Sequence, residues 1–317
     1  MVCQAATPAV QQAAAPRLLD EQSGPKVLQQ LDTIIFDCDG VLWRGSDTFT
    51  NAVEALHVMR QQGKRLLFVT NNSSKSRAQY VKKFQSLGMQ VDSSEIVSSS
   101  YTAAAYLSSI GFGQSLQPGK HVLLLGSQGT ADELAAAGLQ VLDAKQLQLP
   151  VLDSVDAMLQ MQLDERIGAV VLGWDCLFNY QKLVYASACL RELPGCLYVA
   201  TNLDHADYIG NDRMMPGTGA LVAALQVASG VEPVNVGKGG AWLFPYLLAK
   251  FQLQPSRTAV VGDRLDTDIA MGKQGGLVTL LPLTGVTTMQ GALSAASREQ
   301  PDFIMPSVAA LAGLPSS

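Results

Sequence analysis

The stretch TIIFDCDGVLW, residues 33–43, decides the fold. A short run rich in apolar and β-branched residues predicts a buried strand, and it leads directly into Asp37 and Asp39, with Gly40 permitting a tight turn. Three more predicted strands also end at a polar residue: LLFVT at Thr70, VNVGK at Lys238 and TAVVGD at Asp263. Because the ligand crevice of an open parallel sheet lies outside the carboxyl ends of its strands, we expect folding to bring these side chains together.

The alternation of short apolar runs with segments of helical period, from Thr33 onward, predicts an α/β protein with a Rossmann-like, doubly wound parallel sheet. A second α/β series, from about His121 to Gly230, contains none of the four polar strand ends. We therefore predict an inserted α/β cap domain. The predicted division is a flexible segment over residues 1–25, a core domain over 26–112 and 233–317, and a cap domain over 113–232.

Composition excludes several classes of protein. A net charge of −5, with only 15% charged residues, argues against a nucleic-acid-binding surface. No apolar run approaches the roughly 18 residues that cross a bilayer, so we expect no membrane association. The five cysteines are odd in number and have no Cys-x-x-Cys spacing, which argues against disulfides and zinc and favours reduced thiols in an intracellular compartment.

The first 25 residues are rich in Ala, Gln and Pro and carry no acidic residue before Asp20. This composition predicts a disordered segment. It fits the remnant of an organelle transit sequence, which would be poor in acidic residues, and it fits a plain flexible tail equally well.

The two carboxylates of DCDGVLW are suited to different tasks. Asp37, at the strand end, is the candidate nucleophile that attacks phosphorus to form an aspartyl phosphate. Asp39 is the candidate acid and base that protonates the leaving oxygen and later activates water. Taken alone, an Asp-x-Asp after a strand is also an ordinary turn composition.

A second acidic cluster, GDRLDTDI (residues 262–269), predicts a metal site. Mg²⁺ favours oxygen ligands, and we assign it to the carboxylates of Asp37 and Asp263 and the backbone carbonyl of Asp39. Asp266 is suited to cap the following helix, whereas Asp268 is placed to steady the waters of the metal or the ammonium group of Lys238.

Four side chains are candidates for binding the phosphate. Lys238 would offset the charge of the transferring group, and Thr70, Asn71 and Asn72 would donate hydrogen bonds to its oxygens. Each has an ordinary alternative, since lysines are usually solvated and TNNSS is a typical turn composition.

The segments DCDGVLW, VTNNSSKS, VGKG and VGDRLDTDI resemble the four motifs of the haloacid dehalogenase superfamily of phosphatases, in members with a large α/β cap. Within that superfamily the chain is similar to the plant and algal phosphoglycolate phosphatases. The resemblance covers nearly all of residues 30–317 and implies the same roles for the strand-end residues. One departure is Gly239, which stands after Lys238 where the family usually has proline.

The resemblance implies a magnesium-dependent phosphomonoesterase that hydrolyses 2-phosphoglycolate to glycolate and phosphate, as in photorespiration. It implies a small phosphorylated metabolite as the partner, a homodimer joined through the caps, and a location in the chloroplast stroma, with the cytoplasm as the alternative. Specificity should come from the cap. The loop Thr201–Arg213 is the candidate, with His205 and Arg213 facing a substrate carboxylate, although an ordinary surface loop has the same composition.

Two alternatives remain open from the sequence. One is a related phosphatase for glycerol phosphate, pyridoxal phosphate or a broad set of small phosphoesters. The other is a phospho-accepting, receiver-like signalling module, which also gathers carboxylates, a hydroxyl and a lysine at strand ends. Asp39 argues against a receiver, because a carboxylate two residues beyond the nucleophile should promote hydrolysis of the aspartyl phosphate.

Overall fold

Parallel strands form both large sheets of the computed structural model, which describes residues 15–144, 154–208, 213–296 and 299–316. With strands numbered in chain order, the larger sheet has seven, all parallel, in the spatial order β1 (Arg17–Leu18), β16 (Phe303–Met305), β15 (Val278–Pro282), β14 (Thr258–Val261), β2 (Thr33–Phe36), β5 (Arg65–Thr70) and β6 (Ile96–Ser98).

The smaller sheet has five parallel strands, in the order β13 (Val234–Asn235), β10 (Leu197–Ala200), β9 (Ile167–Leu172), β7 (His121–Leu125) and β8 (Val141–Asp143). Two antiparallel hairpins complete the strands: β3 (Trp43–Arg44) with β4 (Asp47–Thr48), and β11 (Ala206–Tyr208) with β12 (Met214–Pro216).

The helices connect these strands. They are α1 (Gly24–Leu28), α2 (Ala52–Gln61), α3 (Arg77–Ser86), α4 (Ser99–Ser109), α5 (Gln128–Ala136), α6 (Val155–Leu159), α7 (Tyr180–Glu192), α8 (Thr218–Ser229), α9 (Leu243–Phe251), α10 (Ala270–Gln274), α11 (Met289–Ser294) and α12 (Val308–Leu311). A π-helical turn, Leu265–Ile269, precedes α10. Among the described residues, no helix combines the length and apolar character needed to cross a membrane.

The centre of the larger sheet is its topological switch point. From β2 the chain crosses to β5 on one side and returns later, through β14, to the other. Every residue of β2 is buried, because both faces of the sheet are covered: Phe36 packs in one apolar cluster and Ile35 in another. The predicted doubly wound parallel sheet is confirmed. Its crevice lies beyond the carboxyl ends of β2 and β14.

Helix α4 packs against the smaller sheet although it follows strand β6 of the larger one. Its buried side chains Ala103, Ala104 and Leu107 share an apolar cluster with residues of β7 and β9. The larger and smaller sheets therefore have a common packing element. The domain boundaries stay a prediction.

Two elements differ from the sequence prediction. Part of the predicted flexible segment 1–25 is ordered, because β1 pairs with β16 and α1 begins at Gly24; residues 1–14 lie outside the described part of the chain. VNVGK was expected to end a strand of the larger sheet, but β13 pairs with β10 of the smaller one. A strand of two residues carries no signal in the sequence for the sheet it joins.

Candidate active site

Asp37 and Lys238 form the centre of the site. Asp37 follows β2 directly, and its Oδ1 lies 2.7 Å from Nζ of Lys238. The same ammonium group lies 2.8 Å from Oδ1 of Asp268 on the π-helical turn. Both lysine contacts are charge-assisted, and all three side chains are less than 10% exposed. The lysine thus bridges two buried carboxylates, although it comes from the loop after β13.

Asp263 lies two residues beyond β14 and faces Asp37 from the neighbouring strand end. Its Oδ2 accepts a hydrogen bond of 2.7 Å from the backbone N–H of Val286. Gly40 makes room for it: φ is +83° there, and a Cβ would lie 2.6 Å from Oδ2 of Asp263. Carboxylate oxygens of Asp37, Asp263 and Asp268 all lie within 4.8 Å of one another.

The buried charges in this cluster shift each other's pKa. Burial raises the pKa of Asp37 well above its usual range, as do the neighbouring carboxylates, although Lys238 acts in the opposite direction. Burial and Asp268 raise the pKa of Asp263 to about 6. For Lys238 burial would lower the pKa, but Asp268 and Asp37 outweigh it and raise the pKa above that of a free lysine. Lys238 is therefore charged, and the raised pKa values of Asp37 and Asp263 indicate that burial and crowding make their ionised forms unfavourable without a further cation.

This donor set fits a hard divalent cation. Three buried carboxylates face a single ammonium group, and such crowding of like charge is unfavourable without a further cation. Oxygen ligands on a rigid strand edge match the preference of magnesium. Asp37 and Asp268 both contact Lys238, so all three carboxylates are candidate ligands, and the assignment of the metal to Asp37 and Asp263 stays a prediction.

Asp39 reaches into the cavity beside this cluster, with 45% of its side chain exposed. Its Oδ1 accepts a hydrogen bond of 2.7 Å from the indole Nε1 of Trp43. The ammonium group of Lys83 lies 3.5 Å from the same oxygen. The sequence predicted Asp39 but neither of these neighbours.

The loop after β5 uses its polar side chains differently from the prediction. The hydroxyl oxygen of Thr70 accepts from the N–H of Asn72 at 3.2 Å, and both residues line the cavity. The amide of Asn71 donates to Oδ1 of Asp204 at 2.9 Å, and its oxygen accepts from the N–H of Lys238 at 2.7 Å. Asn71 thus connects the loop to the cap and to the lysine. Phosphate binding by these three residues stays a prediction.

The cap residues at the cavity are not the predicted ones. His205 and Arg213 are exposed, and neither is among the described residues that line the cavity. Their neighbour Asp204 lines it instead, as does Trp174 after β9. The candidate loop Thr201–Arg213 therefore reaches the site, but through another side chain. Residues 209–212 of that loop lie outside the described residues.

The cavity has a volume of about 530 Å³. Arg264, next to Asp263, lines it and donates a hydrogen bond of 3.2 Å to the carbonyl oxygen of Ala206 in the cap hairpin. Arg44 lines it from β3. A charged residue directly after the motif aspartate was the available sequence signal for Arg264.

The backbone conformation of Gly239 explains why glycine stands where the family usually has proline. Its φ is +86°, a value that the proline ring cannot adopt. The backbone after Lys238 therefore follows a course that requires glycine.

Comparison with known proteins agrees with this geometry. A family model described as haloacid dehalogenase-like hydrolase matches residues 34–140, and a second, HAD-hydrolase-like, matches residues 235–311. The chain is 43% identical to phosphoglycolate phosphatase 1A, chloroplastic, of Arabidopsis thaliana over 282 residues, which are 89% of this chain and 76% of that protein. It is 40% identical to the glycerol-3-phosphate phosphatase of Gallus gallus, over 86% of each chain.

Among solved structures, a glycerol phosphate phosphatase from Mycobacterium tuberculosis in complex with magnesium has a TM-score of 0.73 and 31% identity. The match covers 90% of this chain and 77% of that one. These matches extend over both sheets and over all four motifs. The chain therefore belongs to the haloacid dehalogenase-like hydrolases, as a phosphatase of the group that includes these plant and animal enzymes.

Proposed function

We propose that the protein is a magnesium-dependent phosphomonoesterase that hydrolyses 2-phosphoglycolate to glycolate and phosphate. The observation that carries the reaction class is the buried contact between Asp37 and Lys238 beside Asp263. The phosphoglycolate phosphatases of Arabidopsis thaliana support the substrate, with identities of 40–43% over most of this chain.

The proposed nucleophile is Asp37. One of its carboxylate oxygens forms a bond to phosphorus, and the bond between phosphorus and the ester oxygen breaks. Lys238 stays within hydrogen-bond reach and offsets the charge on the phosphoryl oxygens. The product of this step is an aspartyl phosphate, which divides the hydrolysis into two easier steps.

Asp39 is the proposed acid and base. Its carboxyl proton passes to the ester oxygen, so that the organic product leaves as an alcohol. The resulting carboxylate then takes a proton from water, whose oxygen attacks phosphorus and releases phosphate from Asp37. Asp39 lines the cavity, where both the leaving group and the water would lie.

Asp37 and Asp263 would hold the magnesium ion, together with the backbone carbonyl of Asp39. The bound ion would offset the repulsion between the attacking carboxylate and the phosphate. Asp268 would act through Lys238, which it contacts at 2.8 Å.

Glycerol 3-phosphate is the second candidate substrate. The glycerol-3-phosphate phosphatase of Gallus gallus is 40% identical to this chain, nearly as similar as the plant proteins. Arg44 and Arg264 line the cavity and favour a substrate with a second anionic group, which phosphoglycolate has and glycerol phosphate lacks. We therefore place 2-phosphoglycolate first.

The test is phosphate release from four esters at fixed magnesium: 2-phosphoglycolate, glycerol 3-phosphate, pyridoxal phosphate and p-nitrophenyl phosphate. We expect kcat/KM for 2-phosphoglycolate to exceed that for glycerol 3-phosphate by about 10-fold or more. Higher values for glycerol 3-phosphate would reject the substrate while leaving the reaction class intact. No release from any ester would reject both.

We further propose a homodimer formed through the cap. Four large apolar side chains of this region are 65–78% exposed: Val155, Leu159, Leu177 and Tyr180. Light scattering should give a molar mass twice that of one chain, and Leu159→Glu should lower it to the mass of one chain. Leu293→Glu is the control, because Leu293 is also exposed but lies on α11, whose Ala292 packs against the larger sheet. A monomeric parent protein would reject the dimer.

The compartment proposed is the chloroplast stroma, and the process photorespiration. Two relatives from Arabidopsis thaliana carry "chloroplastic" in their names, each with 43% identity. A fluorescent fusion to the end of the full chain, expressed in a green cell, should coincide with chlorophyll. Diffuse fluorescence would favour the cytoplasm.

A further inference from the structure

The two carboxylate oxygens of Asp39 have different surroundings. Oδ1 accepts the hydrogen bond from Nε1 of Trp43 and lies 3.5 Å from Nζ of Lys83. Oδ2 is buried and has no hydrogen-bond partner among the described residues. The orientation of this carboxyl group therefore depends on the two contacts at Oδ1.

The indole of Trp43 is held by its own packing, and its backbone forms a β-bridge with that of Asp39 in the same turn. Its side chain is fully buried, and its ring meets that of Phe84 edge-on at 4.9 Å between centroids. The carbonyl oxygen of Trp43 accepts a hydrogen bond of 2.8 Å from the N–H of Gly40. Packing and backbone contacts thus hold the indole N–H of Trp43 in a fixed position. A residue that orients a reacting group has to be held in this way.

Lys83 touches both members of this pair. It lies on α3, and its ammonium group is 4.2 Å from the centre of the Trp43 ring. Its side chain is 19% exposed, so the cation is partly removed from water and its attraction to the ring and to Asp39 is strengthened. The neighbouring Lys82 on the same helix is exposed.

We propose that Trp43 and Lys83 are positioning residues that hold the carboxyl group of Asp39 in line with the leaving oxygen of the substrate. This inference rests on the proposed function, in which Asp39 gives its proton to the ester oxygen while the bond from phosphorus to that oxygen breaks. A carboxyl group that rotates away cannot reach that oxygen, so the proton transfer fails although nucleophile, lysine and metal ligands are intact.

The leaving group provides a readout that a purely structural role would not move. An alkoxide is a poor leaving group and needs the proton, whereas p-nitrophenolate leaves without one. The value of kcat/KM reports the first chemical step for both kinds of ester. Loss of positioning should therefore lower kcat/KM for 2-phosphoglycolate and glycerol 3-phosphate far more than for p-nitrophenyl phosphate.

The first variant is Trp43→Phe, which removes the indole N–H and keeps an aromatic ring. We expect kcat/KM for the alkyl esters to fall by about 10- to 100-fold, and that for p-nitrophenyl phosphate to change by less than about 3-fold. A thermal melt shows whether the variant is folded. Equal losses on both kinds of ester, or no loss on either, would overturn the role of Trp43.

Lys83→Met tests the second contact without disturbing the buried core, because methionine keeps an unbranched side chain over the ring. It should show the same selective loss, and Lys83→Arg should restore most of it by keeping the cation. Lys82→Met is the matched control and should behave as the parent. If Lys83→Met retains full activity on the alkyl esters, or if arginine does not restore it, Lys83 has no positioning role.

Asp39→Asn separates failure of this inference from failure of the proposed function. It should lose about 10²- to 10⁴-fold on the alkyl esters and much less on p-nitrophenyl phosphate. A selective loss in Asp39→Asn that is missing from Trp43→Phe and Lys83→Met would reject only the positioning. If kcat/KM of Asp39→Asn falls equally for both kinds of ester, or for neither, the acid role itself is rejected.

Discussion

The larger and smaller sheets are both parallel, but the buried charged groups at their carboxyl ends differ in how they are balanced. In the smaller sheet, β9 leads to Asp175, which is 2% exposed and pairs with Lys182 at 2.6 Å. One carboxylate thus meets one ammonium group. At the edge of the larger sheet, Lys238 faces three buried carboxylates. The pair in the smaller sheet is balanced in charge, whereas the cluster at the larger sheet still requires a cation.

This difference distinguishes a structural ion pair from the candidate active site. Burying a charge costs free energy that a partner can offset, and the cap pair offers each member one strong partner. In the core cluster burial raises the pKa of Asp37 and of Asp263, and the neighbouring carboxylates raise both further. Balance of charge, and not burial alone, distinguishes the two regions.

Removing the proposed nucleophile should have the largest effect. Asp37→Asn should lower kcat on 2-phosphoglycolate by about 10⁴-fold or more, because an amide cannot form the aspartyl phosphate. Phosphate release measured with the purified variant is the test. Asp266→Asn is the control: it makes the same change on a side chain that is 52% exposed, and it should keep its activity. Normal turnover by Asp37→Asn would disprove the mechanism.

Breaking the cap pair should affect stability and not chemistry. Asp175→Asn leaves the ammonium group of Lys182 buried without its counter-charge, and we expect a loss of about 3–5 kcal/mol in the free energy of unfolding. Urea denaturation followed by circular dichroism measures it. The double variant Asp175→Asn with Lys182→Met should recover part of the loss, whereas equal destabilisation by the double variant would contradict the pairing.

Metal-free protein should become less stable as the pH rises, because of the core cluster. The pKa of Asp263 is about 6 in the folded protein, above its unfolded value, so its protonated form favours folding. That contribution is present at low pH and is lost between about pH 4 and pH 6, up to about 3 kcal/mol. Thermal melts in chelator should show this fall, and Asp263→Asn should reduce it. Magnesium should restore stability at neutral pH, and a melt insensitive to magnesium would contradict the site.

The sequence was sufficient to predict the strands that position the candidate site, and insufficient to predict the contacts between distant segments. Strands β2, β5 and β14 are continuous apolar runs, so their ends could be placed from composition alone. The strand before Lys238 has only two residues, and its partner β10 could not be identified from so short a run.

Contacts across the cavity depend on side-chain direction, which a sequence pattern does not encode. The sequence predicts the polar loop Thr201–Arg213, with His205 and Arg213 as its candidates, whereas the side chains of that loop that bond to Asn71 are those of Asn202 and Asp204. The bond from Trp43 to Asp39 was missed because a tryptophan after a strand usually signals packing.

Two cysteines provide a direct test of the contrast between the sheets, and this is the prediction with the smallest expected effect on activity. Cys38 follows Asp37 and Cys176 follows Asp175, so each stands beside the carboxylate that characterises its region. Burial raises the pKa of Cys38 well above its usual range, and the flanking carboxylates Asp37 and Asp39 raise it further. Cys176 is exposed. Brief treatment of the folded protein with N-ethylmaleimide should therefore modify Cys176 and spare Cys38, with activity retained, as peptide mass spectrometry would show. Modification of Cys38 at a rate similar to that of Cys176 would mean that the carboxyl ends of the strands in the larger sheet are open to solvent. The cluster of Asp37, Asp263 and Asp268 would then not be buried in solution.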